Sequence, residues 1–338
     1  MSLFASPRRL RELGVLGMNE RNVHYTLAVN DRARYPLVDN KLATKALCEK
    51  AGIPTAKILG VASAQGDVPK LVASLLDAAG FALKPARGAM GNGILVVRGR
   101  TEDGRFVRAG GDVLTRDDLE FHAAAIISGL YALGGQPDEA FAEELLHVDP
   151  SFAAIAVDGV PDIRVVVYRG VPAMAMTRLP TRASRGRANL HQGALGAGVD
   201  LATGRLTRAV QHGHPIDRHP DTLEPIEGRR LPHFAKVLEI AVRAADCTGL
   251  GYVGADVVVD ASHGPLVLEL NARPGLAIQL ANGAGLSRRL DAIDLEARPE
   301  LDWRARIALG VAIARRAGAA GAASAAEDAS GLGGRDVA

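Results

Sequence analysis

The chain has 338 residues, 48% of them apolar, enough to bury a sizeable core in one large domain or two ordinary ones. Its 40 basic and 38 acidic side chains leave a formal charge of +2, which excludes the global positive field that gathers nucleic acid or anionic membrane. Two cysteines far apart in helical patterns (Cys48, Cys247), a mixed and basic start rather than a leader, and no long apolar run predict a reduced, cytoplasmic protein without membrane insertion.

Residues 1–37 are rich in Arg and Asn with little periodicity and read as an arm lying on the body. Asn40 is placed to cap a helix with the stripe Leu42, Ala43, Ala46, Leu47, stopped by Gly52 and Pro54. A helix from Val68 to Ala79 follows, with Asp67 as its expected cap. Phe81 to Lys84 reads as a strand, Pro85 to Gly93 as a glycine-bearing loop and Ile94 to Arg98 as the returning strand. Thr115 and Asp118 form a capping box for a helix to about Ser128. Phe141 to Leu146 is a short segment carrying paired acids. In the second half, Asp162 to Tyr168 and Val171 to Arg178 are strands about Arg169-Gly170, Leu231 to Thr248 is a helix, and Val253 to Val259 with Pro265 to Asn271 make a hairpin. Trp303 to Arg316 reads as a last helix, and the Ala/Gly/Ser-rich tail behind it, with nothing to bury, is expected to be disordered. Mixed strands and helices argue an α+β fold rather than a doubly wound parallel sheet.

A hairpin turn midway between Asp260 and Pro265 sets Asp256 opposite Glu269, with Asn271 two residues on along the same face and Leu268 and Leu270 on the other. Two like charges facing each other between apolar strands call for a cation. Two carboxylates and an amide oxygen suit magnesium completed by nucleotide phosphates; a basic side chain bridging two surface acids is the alternative. Lys84 at a strand end, followed by Gly88, Gly91 and Gly93, suits phosphate binding, with an ordinary flexible hairpin as the bland alternative. It is neither a P-loop nor a dinucleotide fingerprint, because strands flank it on both sides. Asp162 and Arg164 share a strand face, with Ile163 and Val165 turned to the core.

The run Glu269-Leu-Asn271-Ala-Arg-Pro274-Gly275 resembles the metal-binding signature of ATP-grasp enzymes. Within that superfamily Arg187-Ala-Asn189-Leu-His-Gln-Gly193, Asp162-Ile-Arg164 and Gly254-Ala-Asp256 are most similar to RimK-like alpha-L-glutamate ligases. Gly17-Met-Asn19-Glu-Arg21-Asn22 resembles an uncharacterised, glutamate-ligase-related, sugar-transfer-associated ATP-grasp subgroup. The resemblance implies two α+β lobes gripping ATP between antiparallel sheets: an arm over 1–37, a nucleotide-binding lobe with a glycine-rich lid over 38–145, a metal-bearing lobe over 146–317 and a tail over 318–338. Only about 38 residues precede the Asn40 match, too few for the full N-terminal domain that family members carry there. His-Gln-Gly-Ala at 191–194 also departs from the commoner paired glycines.

By the same resemblance Asp256, Glu269 and Asn271 hold metal, with Glu269 bridging two magnesium ions that manganese can replace. Lys41 and Lys84 touch phosphates, and the loop with Gly88, Gly91 and Gly93 closes over them. Glu143 or Glu144, with Glu143 favoured, takes the adenine amine; the backbone of Leu145 and Leu146 pairs with the ring; ribose meets His147 or Asp149. Arg164, Asn189 and Arg273 serve the transferring phosphoryl group. The implied activity is an ADP-forming carbon–nitrogen ligase that makes an acyl phosphate and passes it to an amine, joining glutamate or another amino acid to a peptide or small-molecule carboxylate. The cluster Arg178, Arg182, Arg185, Arg187 suits an acidic acceptor, and nucleic acid is disfavoured by 4% aromatic content. A catalytically inactive nucleotide-binding regulatory or scaffold protein and an ATP-grasp kinase are the alternatives, and a homo-oligomer is left open.

Overall fold

The computed structural model describes residues 6–88 and 91–331, and it is built on two antiparallel sheets. The first has the order β1-β6-β2-β3-β4-β5, with β1 Ile58–Ala62, β2 Phe81–Pro85, β3 Leu95–Arg100, β4 Phe106–Arg108, β5 Val113–Leu114 and β6 Ala140–Glu144. The second has the order β11-β10-β9-β8-β7-β12-β13, with β7 Asp162–Tyr168, β8 Val171–Leu179, β9 Leu195–Val199, β10 Leu206–Gln211, β11 His214–Ile216, β12 Tyr252–Asp260 and β13 Gly264–Asn271. The architecture is the expected α+β one.

Strand alternation sorts side chains in the first lobe. Phe81, Leu83, Ala140 and Ala142 pack with Leu71, Val72, Leu119 and Ile126 from the helices Val68–Ser74 and Arg116–Ile127. The opposite face of the same strands therefore presents Lys84 and Glu143 toward the helix Lys41–Lys50. Asn40 caps that helix, accepting from the N–H groups of Leu42 (2.8 Å) and Ala43 (3.2 Å), and the Thr115/Asp118 capping box forms as well. Asp67 does not cap its helix, which ends at Ser74; its carboxylate accepts from the N–H groups of Ser63 and Ala64 instead.

In the second lobe the helix Phe234–Thr248 covers one sheet face, where Ile163, Val165, Val253, Ala255 and Val257 are buried. The other face is apolar around Val166, Tyr168, Met174 and Tyr252, and carries charge where Asp162, Arg164, Arg178 and Asp256 come together.

The last hairpin reaches the expected pairing by a different path. Asp260 pairs with Gly264, so the turn holds three residues, and its carboxylate accepts from Ser262 and His263 N–H. The pairing next to the turn is thus one residue out of the anticipated register. A bulge between Asp256 and Val257 takes up the extra residue and restores Asp256 opposite Glu269, Ala255 opposite Leu270 and Gly254 opposite Asn271. Leu268, expected beside Leu270 in the core, is left half-buried, while Val267 packs in the core in its stead.

The arm lies on the second lobe. Its stretch Arg21–Leu27 is a π-helix, and its buried positions Arg21, Tyr25 and Thr26 follow the wider turn of that helix, with Asn30 buried just beyond it. Arg21 donates to the carbonyl of Pro274 (2.8 Å), and Asn30 exchanges hydrogen bonds with the Tyr252 backbone (2.8 Å each). The final helix spans Trp303–Gly331, beyond the expected end near Arg316 and through much of the tail expected to be disordered. An alanine-rich run satisfies its own backbone in a helix without needing a buried face. Residues 332–338 of that tail lie outside the described residues.

Candidate active site

Two buried charge clusters form the site. On the first lobe, Glu143 is 2% exposed and sits between two ammonium groups. Lys84, two residues along β2 from the position facing Glu143, donates to Oε1, and Lys45 donates to Oε2 at 2.8 Å and to the carbonyl of Ala56 at 2.9 Å. Burial pushes the Glu143 carboxyl up, and the Lys84 and Lys45 ammoniums outweigh it and hold it below the usual carboxylate range. Lys41, one helical turn before Lys45, donates to the carbonyl of Gly88 at 2.6 Å. Burial lowers its pKa, with the Glu269 charge opposing and the Lys84 charge assisting.

The glycine-bearing loop starts and ends under restraint, with Ala89 and Met90 outside the described residues. Gly93 has φ 75°, and a Cβ there would lie 2.5 Å from the Tyr131 ring. Its carbonyl accepts from His122 Nε2 at 2.9 Å. Gly91, also at φ 75°, faces the Arg187 side chain of the second lobe.

On the second lobe, sheet register builds a ladder of charge. Arg164 faces Asp256 across β7 and β12, Asp256 faces Glu269 across β12 and β13, and Asp162 faces Arg178 across β7 and β8. Arg164 donates Nε to Asp256 Oδ1 at 2.7 Å and Nη2 to Oδ2 at 2.6 Å. Arg178 grips Asp162 through Nε (2.6 Å) and Nη2 (2.5 Å), and Nη2 also donates to Asp256 Oδ2 at 2.6 Å. Burial pushes Asp256 up, but Arg164 and Arg178 together hold its carboxyl well below the usual range. Asp162 is hydrogen-bonded by Arg178, which it shares with Asp256; burial, assisted by the Asp256 charge, wins there, and its carboxyl is raised to about 6.

Glu269 differs from both: its side chain is 32% exposed, its Oε1 is 4.0 Å from Arg164 Nη2, and Asn271 Nδ2 lies 3.4 Å away. Among the described residues no three acidic, histidine or cysteine side chains converge into a ready-made metal cage. The donor set nevertheless fits a hard ion that keeps waters and borrows phosphate oxygens: Glu269 and Asn271 are accessible, and the cluster carries three carboxylates against two guanidiniums. Asp256 already accepts from two guanidiniums, Arg164 on both oxygens and Arg178 on Oδ2, and these compete with a metal for it. The bridging basic side chain weighed from the sequence is present here as Arg164.

The other expected site residues have these partners. Both oxygens of Glu143 accept from lysines, Oε1 from Lys84 and Oε2 from Lys45. Glu144 accepts from the Lys57 N–H at 2.8 Å. Leu145 and Leu146 lie beyond the last residue of β6 and are half-buried. Asp149 caps a short turn, accepting from Ser151 N–H (2.9 Å) and Oγ (2.6 Å). Asn189 Oδ1 likewise accepts from His191 N–H at 3.0 Å, and among the described residues no hydrogen bond joins it to Asp256. Arg273 is exposed, 5.2 Å over the Tyr35 ring on the arm. Arg178 is half-buried and paired with Asp162 and Asp256, while Arg182, Arg185 and Arg187 are exposed.

Sequence reasoning missed Lys45, Arg178 and Asp260 as site-building residues. The i, i+4 spacing from Lys41 signals Lys45, and the hairpin about Arg169-Gly170 signals Arg178 opposite Asp162. Asp260, 2% exposed, accepts from the His147 N–H at 2.7 Å and so ties the hinge to the last hairpin.

The sugar-transfer associated ATP-grasp model matches residues 20–295. The chain belongs to that family. The match takes in the π-helical stretch of the arm together with both charge clusters. Over 145 residues the chain is 32% identical to a probable alpha-L-glutamate ligase from Thioalkalivibrio sulfidiphilus (strain HL-EbGR7), covering 42% of this chain and 36% of that protein. The chain thus aligns with about a third of that relative's length. Among solved structures it is similar to the ATP-grasp ligase PsnB in complex with a minimal precursor (18% identity, TM-score 0.43, 83% of this chain and 63% of that one). It is also similar to biotin carboxylase from Campylobacter jejuni (17%, TM-score 0.49, 80% and 49%) and D-alanyl-alanine synthetase A from Vibrio cholerae O1 biovar eltor str. N16961 (11%, TM-score 0.46, 85% and 68%). Among the described residues no helix is long and apolar enough to cross a membrane.

Proposed function

We propose that the chain is an ADP-forming carboxylate–amine ligase that binds ATP between the two clusters. One arrangement carries the reading: a lysine cluster of net positive charge, whose Lys41 donates to the Gly88 carbonyl of the glycine loop, and an acid–arginine cluster of net negative charge on the lobe whose Arg187 side chain lies beside Gly91 of that same loop. A polyanion with a divalent counter-ion is the ligand that answers both. Lys41 and Lys84 bind its phosphates, the loop of Gly88, Gly91 and Gly93 covers them, and the backbone of Leu145 and Leu146 receives the base.

Glu269 and Asn271 would hold magnesium, with Asp256 joining once a guanidinium moves; the metal supplies charge neutralisation at the phosphates. Arg164, its plane fixed by Asp256, faces the transferring phosphoryl group and the acyl phosphate formed from the carboxylate. Positioning and exclusion of water do the rest, so no nucleophilic side chain is needed. The glutamate-ligase relative favours an amino acid as one substrate, and exposed Arg182, Arg185 and Arg187 suit an acidic acceptor. The free, partly or fully buried cysteines suit a reducing cytoplasm.

The test is a screen of acids and amines for ADP and phosphate release, read by mass spectrometry, with hydroxylamine present to trap an acyl phosphate. The expected result is an acyl hydroxamate when amine is withheld and an amide when it is supplied. A stable phosphorylated product without amine would make the protein a kinase. Tight nucleotide binding with nothing trapped across a broad acid panel would make it a binding protein.

A further inference from the structure

We propose that Lys45 is a positioning residue that keeps the Glu143 charge compensated while Lys84 leaves it for the nucleotide phosphates, so that ATP binds without proton uptake. The inference rests on the nucleotide reading of the cleft. Its basis is the sharing of one carboxylate: Oε1 of Glu143 faces Lys84 and Oε2 faces Lys45, with all three residues less than 10% exposed. The Lys84 ammonium has three N–H donors but one positive charge, so a Lys84 engaged by phosphates no longer neutralises Glu143 in full. When it turns to phosphate, a carboxylate in a dry site would lose half of its compensation, and an uncompensated buried carboxylate either destabilises the state or takes a proton.

Lys45 removes that choice. Its ammonium is anchored from two sides, by Glu143 and by the carbonyl of Ala56, and its helix is fixed at the N-terminus by the Asn40 cap. It is therefore held on Glu143 and away from the phosphates. The other charged groups around this carboxylate are Lys84 from β2 and, more remotely, Lys41, which itself feels Asp138 and Glu269. None of these replaces Lys45: Lys84 and Lys41 are the groups that phosphate recruits, and the acids have the wrong sign. The free protein already holds Glu143 below the usual carboxylate range with Lys84 and Lys45 both in place.

The experiment is titration calorimetry of the full chain with Mg·ADP in buffers of different ionisation enthalpy, repeated across neutral to mildly alkaline pH. The wild type is expected to bind with no net proton uptake. Lys45→Met is expected to take up close to one proton on binding, its affinity falling by up to about tenfold per pH unit. Lys45→Arg restores proton-free binding, and the double variant Lys45→Met/Glu143→Gln loses the linkage because no carboxylate remains to protonate. A Lys45→Met protein that binds Mg·ADP without proton uptake overturns the inference and leaves the nucleotide site standing. A wild type that binds no nucleotide overturns both. Should Lys45→Met not fold, adding Glu143→Gln is expected to restore the fold, and its failure to do so would make Lys45 a packing residue only.

Discussion

On the β2–β6 side, Lys45 and Lys84 hold the single carboxylate of Glu143 and Lys41 lies farther off on the Gly88 carbonyl; on the β7–β12–β13 side, Arg164 and Arg178 answer Asp162, Asp256 and Glu269. The first cluster uses flexible point charges and is left positive. The second uses planar forks locked by sheet register and is left negative. In both, internal pairing satisfies most of the buried charge and leaves a remainder of one sign at the cleft. The lesson is that the residues which make each cluster tolerable, Lys45 with Glu143 and Arg178 with Asp162, differ from those that carry the remainder, Lys41 and Glu269.

The sharpest way to break this division is to compare Asp256 with Glu269, which face each other but differ in burial. Asp256→Ala strands two guanidiniums, and chemical denaturation should show a loss of about 3–5 kcal/mol. Glu269→Gln should leave stability within about 0.5 kcal/mol while turnover of ATP falls about 10²- to 10³-fold, as removal of a transition-state partner does. Equal stability losses for the two would erase the distinction.

A third comparison uses pH. The folded-state pKa of Glu143 is depressed, so its contribution to stability is present above its ordinary value of 4.5 and is lost as pH falls below that value toward the folded one. Denaturation midpoints measured down the acid limb should fall more steeply for the wild type than for Glu143→Gln. Parallel curves would mean that the two ammoniums do not act on that carboxylate. The smallest effect is expected at Arg273, whose visible partner is the Tyr35 ring: Arg273→Ala should cost about 0.5–1 kcal/mol of stability with turnover nearly unchanged. A large loss of turnover would return Arg273 to the phosphoryl group.

The sequence made the hairpin facing of Asp256 and Glu269 legible because both strands are apolar runs about a polar turn, and a single register then fixes the pair. The register near the turn was nevertheless off by one residue, and a bulge that no residue type announces corrected it at the site. Caps at Asn40 and Thr115 were readable because a short polar side chain next to a helical pattern has a local partner. The role of Glu143 was not, since only the fold brings Lys45 and Lys84 onto one carboxylate from a helix and a strand. Asp149 and Asn189 carry side chains equally suited to a ligand and to a turn, and here each accepts a local hydrogen bond. The tail was misread from composition: alanine needs no partner surface to be helical.

The most direct test is equilibrium binding of ADP to the wild type and to Glu269→Gln, each with and without magnesium. The account predicts that magnesium tightens ADP binding to the wild type by at least about tenfold and does little for Glu269→Gln. Magnesium-dependent binding that is identical in the two proteins would contradict it, as would a wild type that binds no ADP.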